Sequence, residues 1–389
     1  MSFDFEREID RNGSASVKHD GRAGYFGTPD VLPMWVADMD FAAPEAVTRA
    51  LAQRAAHPVY GYTFYPDGLY EALITWLQKR HGWQVERDWI IMAPGVVPSL
   101  HAAVMAFAAP GEAVVVQPPV YPPFFSAVTD TGRKLVLNPL RLENGRYSID
   151  CAHLERCAAD GARLLLLCSP HNPVGRVWSP DELRKILRIA RRHGMTVLSD
   201  EIHADLVYPG EHHTALATLA QDGDKLVTAV APSKTFNIPG LGLSCLIVPD
   251  PAQRAALRKV FATLALGHSN PFSIAAFEAA YREGEAWLDA LLVYLRDNRD
   301  FVAAYLAEHL PGIRLIQPEG TYLLWLDCSG LGMNDAELKE FFVSKARVGM
   351  NPGTVFGAGG SGFMRLNIGA PRRVVEEALE RIRAAMAIS

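Results

Sequence analysis

Between residues 89 and 248 the chain alternates short, nearly continuous apolar runs with longer stretches of helical periodicity, and few folds accept that alternation. The runs at 89–92, 113–117, 134–137, 164–168, 196–199, 226–230 and 244–248 read as strands buried on both faces, as in a parallel sheet covered by helices. Seven such strands predict an α/β domain built on one large, mostly parallel sheet. Between the fourth and fifth, Ser179 as N-cap, Pro180 at the first helical position, Glu182 closing a capping box and Gly194 as the stop delimit a helix. Its basic residues Arg184, Lys185, Arg188, Arg191 and Arg192 alternate with Leu183, Ile186, Leu187 and Ile189 and so read as a solvated outer face.

At 389 residues the chain exceeds what one core usually supports, so two domains are expected. Residues 46–285 form the large one. After Pro271 long helical patterns appear, notably 285–309, followed by strand-like segments at 321–327 and 363–367, which predicts a smaller α+β domain over 286–389. Residues 1–45 show little regular pattern and are expected to pack with that smaller domain. With 38 basic against 43 acidic residues there is no electrostatic case for nucleic acid or an anionic membrane as partner, and a small-molecule substrate is the default. Five scattered cysteines without a C-x-x-C pair point to free thiols in a reducing compartment. The group Cys151, His153 and Cys157 falls in an expected helix after Asp150 and lacks a second ligand pair, so no metal site is expected. His212-His213, in a polar loop, reads as surface. No apolar run reaches the ~18 residues of a membrane span, and residues 1–8 offer neither a basic start nor an apolar core, so a cytoplasmic protein is expected.

Open α/β sheets keep their sites at strand ends, and the polar residues collect there. Gly95-Val96-Val97-Pro98-Ser99 follows the first strand and leads into a helix, whose free N–H groups and positive end suit a phosphate. Tyr121 follows the second strand, Asn172 the fourth, Asp200 the fifth, and Ser233-Lys234-Thr235 the sixth. A phosphate cradle, an aromatic face, an amide, a carboxylate and a lysine are what pyridoxal 5'-phosphate (PLP) chemistry requires. Lys234 supplies the amine that condenses with the cofactor's aldehyde, and Asp200 keeps the pyridine nitrogen protonated. Asn172 donates to the ring oxygen, and Tyr121 covers a ring face. Two motif matches fail on context. Gly357-Ala358-Gly359-Gly360-Ser361-Gly362 fits G-x-G-x-x-G but precedes a strand rather than a helix, and Ser233-Lys234-Thr235 follows no glycine cradle.

Ser169-Pro170-His171-Asn172-Pro173-Val174-Gly175, Asp200-Glu201 and the run from Ser233 to Leu241 resemble the asparagine loop, pyridine-nitrogen site and PLP-lysine segment of the aspartate aminotransferase superfamily, fold type I. The resemblance covers essentially the whole chain. Phe363-Met364-Arg365-Leu366-Asn367-Ile368-Gly369 resembles the segment whose arginine holds the substrate carboxylate, which implies that role for Arg365. Within the superfamily, Met34-Trp35-Val36-Ala37-Asp38-Met39-Asp40-Phe41 and Asp200-Glu201-Ile202-His203-Ala204-Asp205 look like the bacterial carbon-sulfur β-lyase branch of MalY/PatB type.

That branch implies a homodimer with shared active sites, Tyr62 reaching the neighbouring subunit's site and His203 standing where many aminotransferases carry a tyrosine. Trp35, Tyr62, Tyr121 and Tyr322 are candidates to line the distal substrate pocket. The implied reaction is α,β-elimination of L-cystathionine or a related cysteine S-conjugate to a thiol, pyruvate and ammonia, with Lys234 as the base at Cα. Lys234, Asp200, Asn172 and Arg365 serve an aminotransferase equally well, so that activity is the alternative. A regulatory protein using the same fold ranks lower.

Overall fold

The computed structural model describes residues 3–388; Met1 and Ser2, the start of the N-terminal stretch read above, lie outside the described residues. Seven strands form the main sheet: β1 (Ile90–Ala93), β2 (Ala113–Val116), β3 (Lys134–Leu137), β4 (Leu164–Cys168), β5 (Thr196–Asp200), β6 (Leu226–Val230) and β7 (Ser244–Ile247). Their order across the sheet is β1-β7-β6-β5-β4-β2-β3. All run the same way except β7, which is antiparallel to both neighbours. Each strand lies within a residue of its expected position. Six are buried, because helices cover both faces. β3 differs: at one edge of the sheet, its two end residues are exposed, whereas β1 at the other edge is buried throughout.

Three helices matter for the site. Helix α1 (Asp67–His81) packs its Leu69, Leu73, Trp76 and Leu77 inward. Helix α2 (Val96–Phe107) begins directly after β1, with Gly95 as its N-cap. Helix α3 (Pro180–His193) has the expected capping box, Ser179 accepting from the Glu182 N–H, and ends on Gly194 in the left-handed region. Its basic side chains face outward while Leu183, Ile186, Leu187, Ile189 and Ala190 are buried.

Beyond the sheet, Glu285–His309 forms one continuous helix. Four antiparallel strands follow: β8 (Arg314–Ile316), β9 (Leu323–Asp327), β10 (Asn351–Pro352) and β11 (Phe363–Asn367), in the order β8-β9-β11-β10. The expected strand at 321–327 starts two residues late. Thr321 sits at φ 70° and its N–H bonds to the Leu206 carbonyl, so the chain turns there. Residues Leu32–Pro33 pair with Val348–Gly349, and Met34, Met39 and Phe41 join the same apolar core as Leu295, Val302 and Leu323. No helix among the described residues is long and apolar enough to cross a membrane.

Candidate active site

Because β1, β2, β4, β5 and β6 are parallel, the loops leaving their carboxyl ends meet on one edge of the sheet, and antiparallel β7 begins on that edge. A cavity of about 280 Å³ opens there, lined by Gly95, Val96, Val97, Tyr121, Asn172, Asp200, His203, Ser233 and Lys234 among others. Helix α2 points its first turn at this cavity. The first N–H groups of a helix have no intrahelical acceptor, so Val96 and Val97 offer donors to an anion. Gly242 closes the wall at φ 45°, where a Cβ would stand 3.2 Å from the Pro94 carbonyl.

Asp200 ends β5 in register with Cys168 of β4, so both present the same face. Its Oδ1 accepts the Ile202 N–H at 3.1 Å. Burial pushes its pKa up to about 7; the Ile202 bond opposes this, and Lys234 does so more weakly. Lys234 lies in a short helix after β6 and donates to the Ala37 carbonyl at 2.6 Å. Burial brings its amine down to about 8, despite the opposing charge of Asp38. His203 is buried, and its Nδ1 has no partner among the described residues. Burial, with Lys234 and Arg365 nearby, lowers its pKa to about 3, so the imidazole is neutral.

Arg365, on β11 of the C-terminal sheet, meets the site through Asn172, which lines the cavity. Nη1 donates to Asn172 Oδ1 at 3.0 Å, and Nη2 donates to the Trp35 carbonyl and Asn351 Oδ1 at 2.8 and 2.7 Å. All three acceptors are neutral, and Nε has no partner among the described residues. Burial lowers its pKa to about 10, leaving a buried guanidinium that is charged at neutral pH without a carboxylate bonded to it. Such a cation is costly unless an anion joins it.

Sequence reasoning placed most of these residues together but not all. Trp35 is buried away from the cavity: its ring stacks on Tyr25 at 4.3 Å, and its Nε1 donates to the Lys18 carbonyl. What Trp35 brings to the site is its backbone oxygen, on Arg365. Tyr322 is buried, and its hydroxyl donates to Ala37, the same carbonyl that accepts from Lys234. Tyr62 is fully exposed within a chain segment that also exposes Val59, Tyr60 and Phe64.

His213, expected at the surface, has its imidazole buried against Glu201 at 2.9 Å. A polar loop hid this because the partner carboxylate is fixed only by the strand-end turn. The residues 34–41 strap is held by contacts that no motif announced. Asn237 bonds both N–H and carbonyl of Met39, Asn367 bonds the carbonyls of Val36 and Asp38, and buried Lys18 and Arg11 pair with Asp40 and Asp38. The glycine-rich 357–362 run is a tight turn before β11, where Gly360 packs against the Gly353 carbonyl. No three His, Cys, Asp or Glu side chains gather as metal ligands among the described residues.

Residues 29–382 match the aminotransferase class I and II profile. The chain belongs to that family. Among this family's curated members, it is 46% identical over 386 residues to cystathionine beta-lyase PatB of Bacillus subtilis (strain 168), covering 99% of this chain and 100% of that protein. Among solved structures, cystalysin from Treponema denticola, which contains a PLP cofactor, superposes with a TM-score of 0.96 at 37% identity, covering 100% of both chains. The PLP-bound C-S lyase from Staphylococcus hominis superposes with a TM-score of 0.93 at 33% identity, covering 99% of this chain and 98% of that one.

Proposed function

We propose that the protein is a PLP-dependent carbon-sulfur β-lyase that cleaves L-cystathionine or a related cysteine S-conjugate to a thiol, pyruvate and ammonia. The PLP chemistry is carried by the meeting of Lys234, Asp200, Asn172 and His203 in one cavity, with Arg365 bonded to Asn172 and lacking an anionic partner, and the choice of lyase by the 46% identity to a cystathionine beta-lyase over 99% of the chain. The residues fit the cofactor. The α2 N-terminus and Ser233 would hold its phosphate, Asp200 would pair with its pyridine nitrogen, and Lys234 would be the residue that anchors it through its amine. Asn172 and His203, whose Nδ1 has no partner among the described residues, would serve its ring oxygen, and Tyr121 would cover the ring. Bound there, PLP supplies an electron sink for the bonds at the substrate's α-carbon.

The remaining work belongs to side chains. Arg365 binds the substrate carboxylate and so orients Cα. The Lys234 amine, brought toward neutrality by burial, removes the Cα proton and can hand it to the departing sulfur. Loss of that sulfur from Cβ, rather than return of the proton, distinguishes lyase from aminotransferase, and the likeness to named β-lyases favours the lyase.

The exposed run around Tyr62 supports a homodimer in which Tyr62 serves the neighbouring site. The division into 46–285 and 286–389, with 1–45 joining the latter, is supported by the two separate sheets and the Leu32–Pro33 pairing. A cytoplasmic location suits five free cysteines. The deciding experiment measures pyruvate release from L-cystathionine by the PLP-loaded protein without any keto acid, beside Lys234→Ala. Release that is lost in the variant is expected. Keto-acid-dependent amino transfer without release would make the protein an aminotransferase.

A further inference from the structure

Behind the cavity, the same segment that offers Asp200 and His203 forward sends Glu201 and Asp205 backward. Each meets a histidine. Glu201 pairs with His213 at 2.9 Å and also accepts from Ser199 Oγ and the Leu216 N–H. Asp205 pairs with His81, the last residue of α1, at 2.9 Å, and accepts from Trp76 Nε1 at 3.0 Å and Thr235 Oγ1 at 2.8 Å. The two imidazoles touch edge to face, 5.6 Å apart. All four groups lie outside the cavity, so none meets substrate directly.

Thr235 is the residue after Lys234. We propose that the Thr235–Asp205 hydrogen bond, held in place by His81, is a positioning contact that sets the Lys234 amine at its working distance from Asp200. This rests on the roles proposed above for those two residues. Strands β5 and β6 hold their loops in register only as far as Asp200 and Ala229, and the Glu201 N–H makes one more bond to Ala229. Past that point the Asp200–Asp205 turns and the short helix Pro232–Thr235 both line the cavity, and Thr235 to Asp205 ties them together again. The tie acts at the ends of both loops, so its loss loosens the lysine relative to the carboxylate while leaving both side chains present. His81 keeps Asp205 an acceptor. Burial alone would lower the imidazole's pKa, but the hydrogen bond and charge of Asp205 outweigh it and raise it. A misplacement of the order of 1 Å costs up to about 100-fold in rate.

The test uses PLP-loaded Thr235→Val, which keeps the shape and removes the hydroxyl, and Thr235→Ser, which restores it. Two quantities are read: the pH midpoint of the bound cofactor's absorption change, and kcat against KM for pyruvate release. The inference expects Thr235→Val to move the midpoint by roughly half a unit or more and to lower kcat about 10-fold, within the loss that misplacement produces, at little-changed KM. Thr235→Ser should recover both. Unchanged midpoint and kcat in Thr235→Val overturn the inference, as does a loss of cofactor and thermal stability that Thr235→Ser does not repair. If Thr235→Val fails to fold, Thr235→Ala, which also removes the hydroxyl, is read the same way. The midpoint needs no turnover, so a wild-type protein that releases no pyruvate would refute the lyase reading and leave this test standing.

Discussion

Replacing Arg365 by lysine keeps the positive charge and removes the planar fork, which makes the substitution a test of geometry rather than of charge. In the structure the guanidinium spends Nη1 on Asn172 and Nη2 on Trp35 and Asn351, while Nε remains unpartnered. A substrate carboxylate joining this group gains hydrogen bonds to a charged donor worth about 1.5–3 kcal/mol each. An ammonium presents its donors from a single point and cannot serve Asn172, Asn351 and a carboxylate in the same arrangement. Losing one such bond to substrate corresponds to roughly 10- to 150-fold in affinity, at 1.4 kcal/mol per tenfold. The carboxylate is held alike before and during reaction, so the loss belongs in KM with kcat little changed. Steady-state pyruvate release from L-cystathionine at saturating PLP measures both constants. An S-conjugate amine without the α-carboxylate should react equally poorly with both proteins. A KM within twofold of wild type for the amino acid, or a loss confined to kcat, would refute the assignment of Arg365 to the carboxylate.

Three further outcomes are expected. The Lys234 amine must be neutral to capture PLP, so the rate at which cofactor-free protein takes up PLP should climb with pH and reach half-maximum near about 8, where burial has brought it; a half-maximum above 10 contradicts that burial. Asp200, raised to about 7 in the fold, holds its proton more tightly folded than unfolded. Its charge therefore penalises the cofactor-free fold progressively as pH rises from about 4 to 7, and Asp200→Asn should gain stability growing from near zero at pH 4 to a few kcal/mol above pH 7 in denaturant titrations, the opposite trend rejecting the reading. Mixing inactive Lys234→Ala with a Tyr62→Ala variant and allowing subunits to exchange should restore up to about a quarter of wild-type activity, since half the dimers are mixed and each then has one intact site; no recovery would show that Tyr62 does not serve a neighbouring site.

Much of this protein was legible locally. The strands could be placed because strands buried on both faces are nearly continuously apolar, and α3 could be bounded because its caps are short-range chemistry. Lys234, Asp200 and Asn172 could be found because each follows its own strand at short range, and parallel topology carries strand ends to one edge. The exposure of β3's end residues was hidden, since a short, mostly apolar run does not record which of its residues the packed chain leaves uncovered.

Tertiary structure alone decided what those residues touch. Arg365 and Asn172 are 193 positions apart, and their bond leaves the guanidinium waiting for an anion. Folding turned the Trp35 ring away and put its carbonyl at the site, and it buried His213 on Glu201 and tied Thr235 to Asp205. Sequence determines which backbone segments become strands and helices because those choices are settled by neighbours a few residues away. It leaves the pairing of buried polar groups open, because a desolvated donor takes whichever acceptor the packed chain brings within about 3 Å.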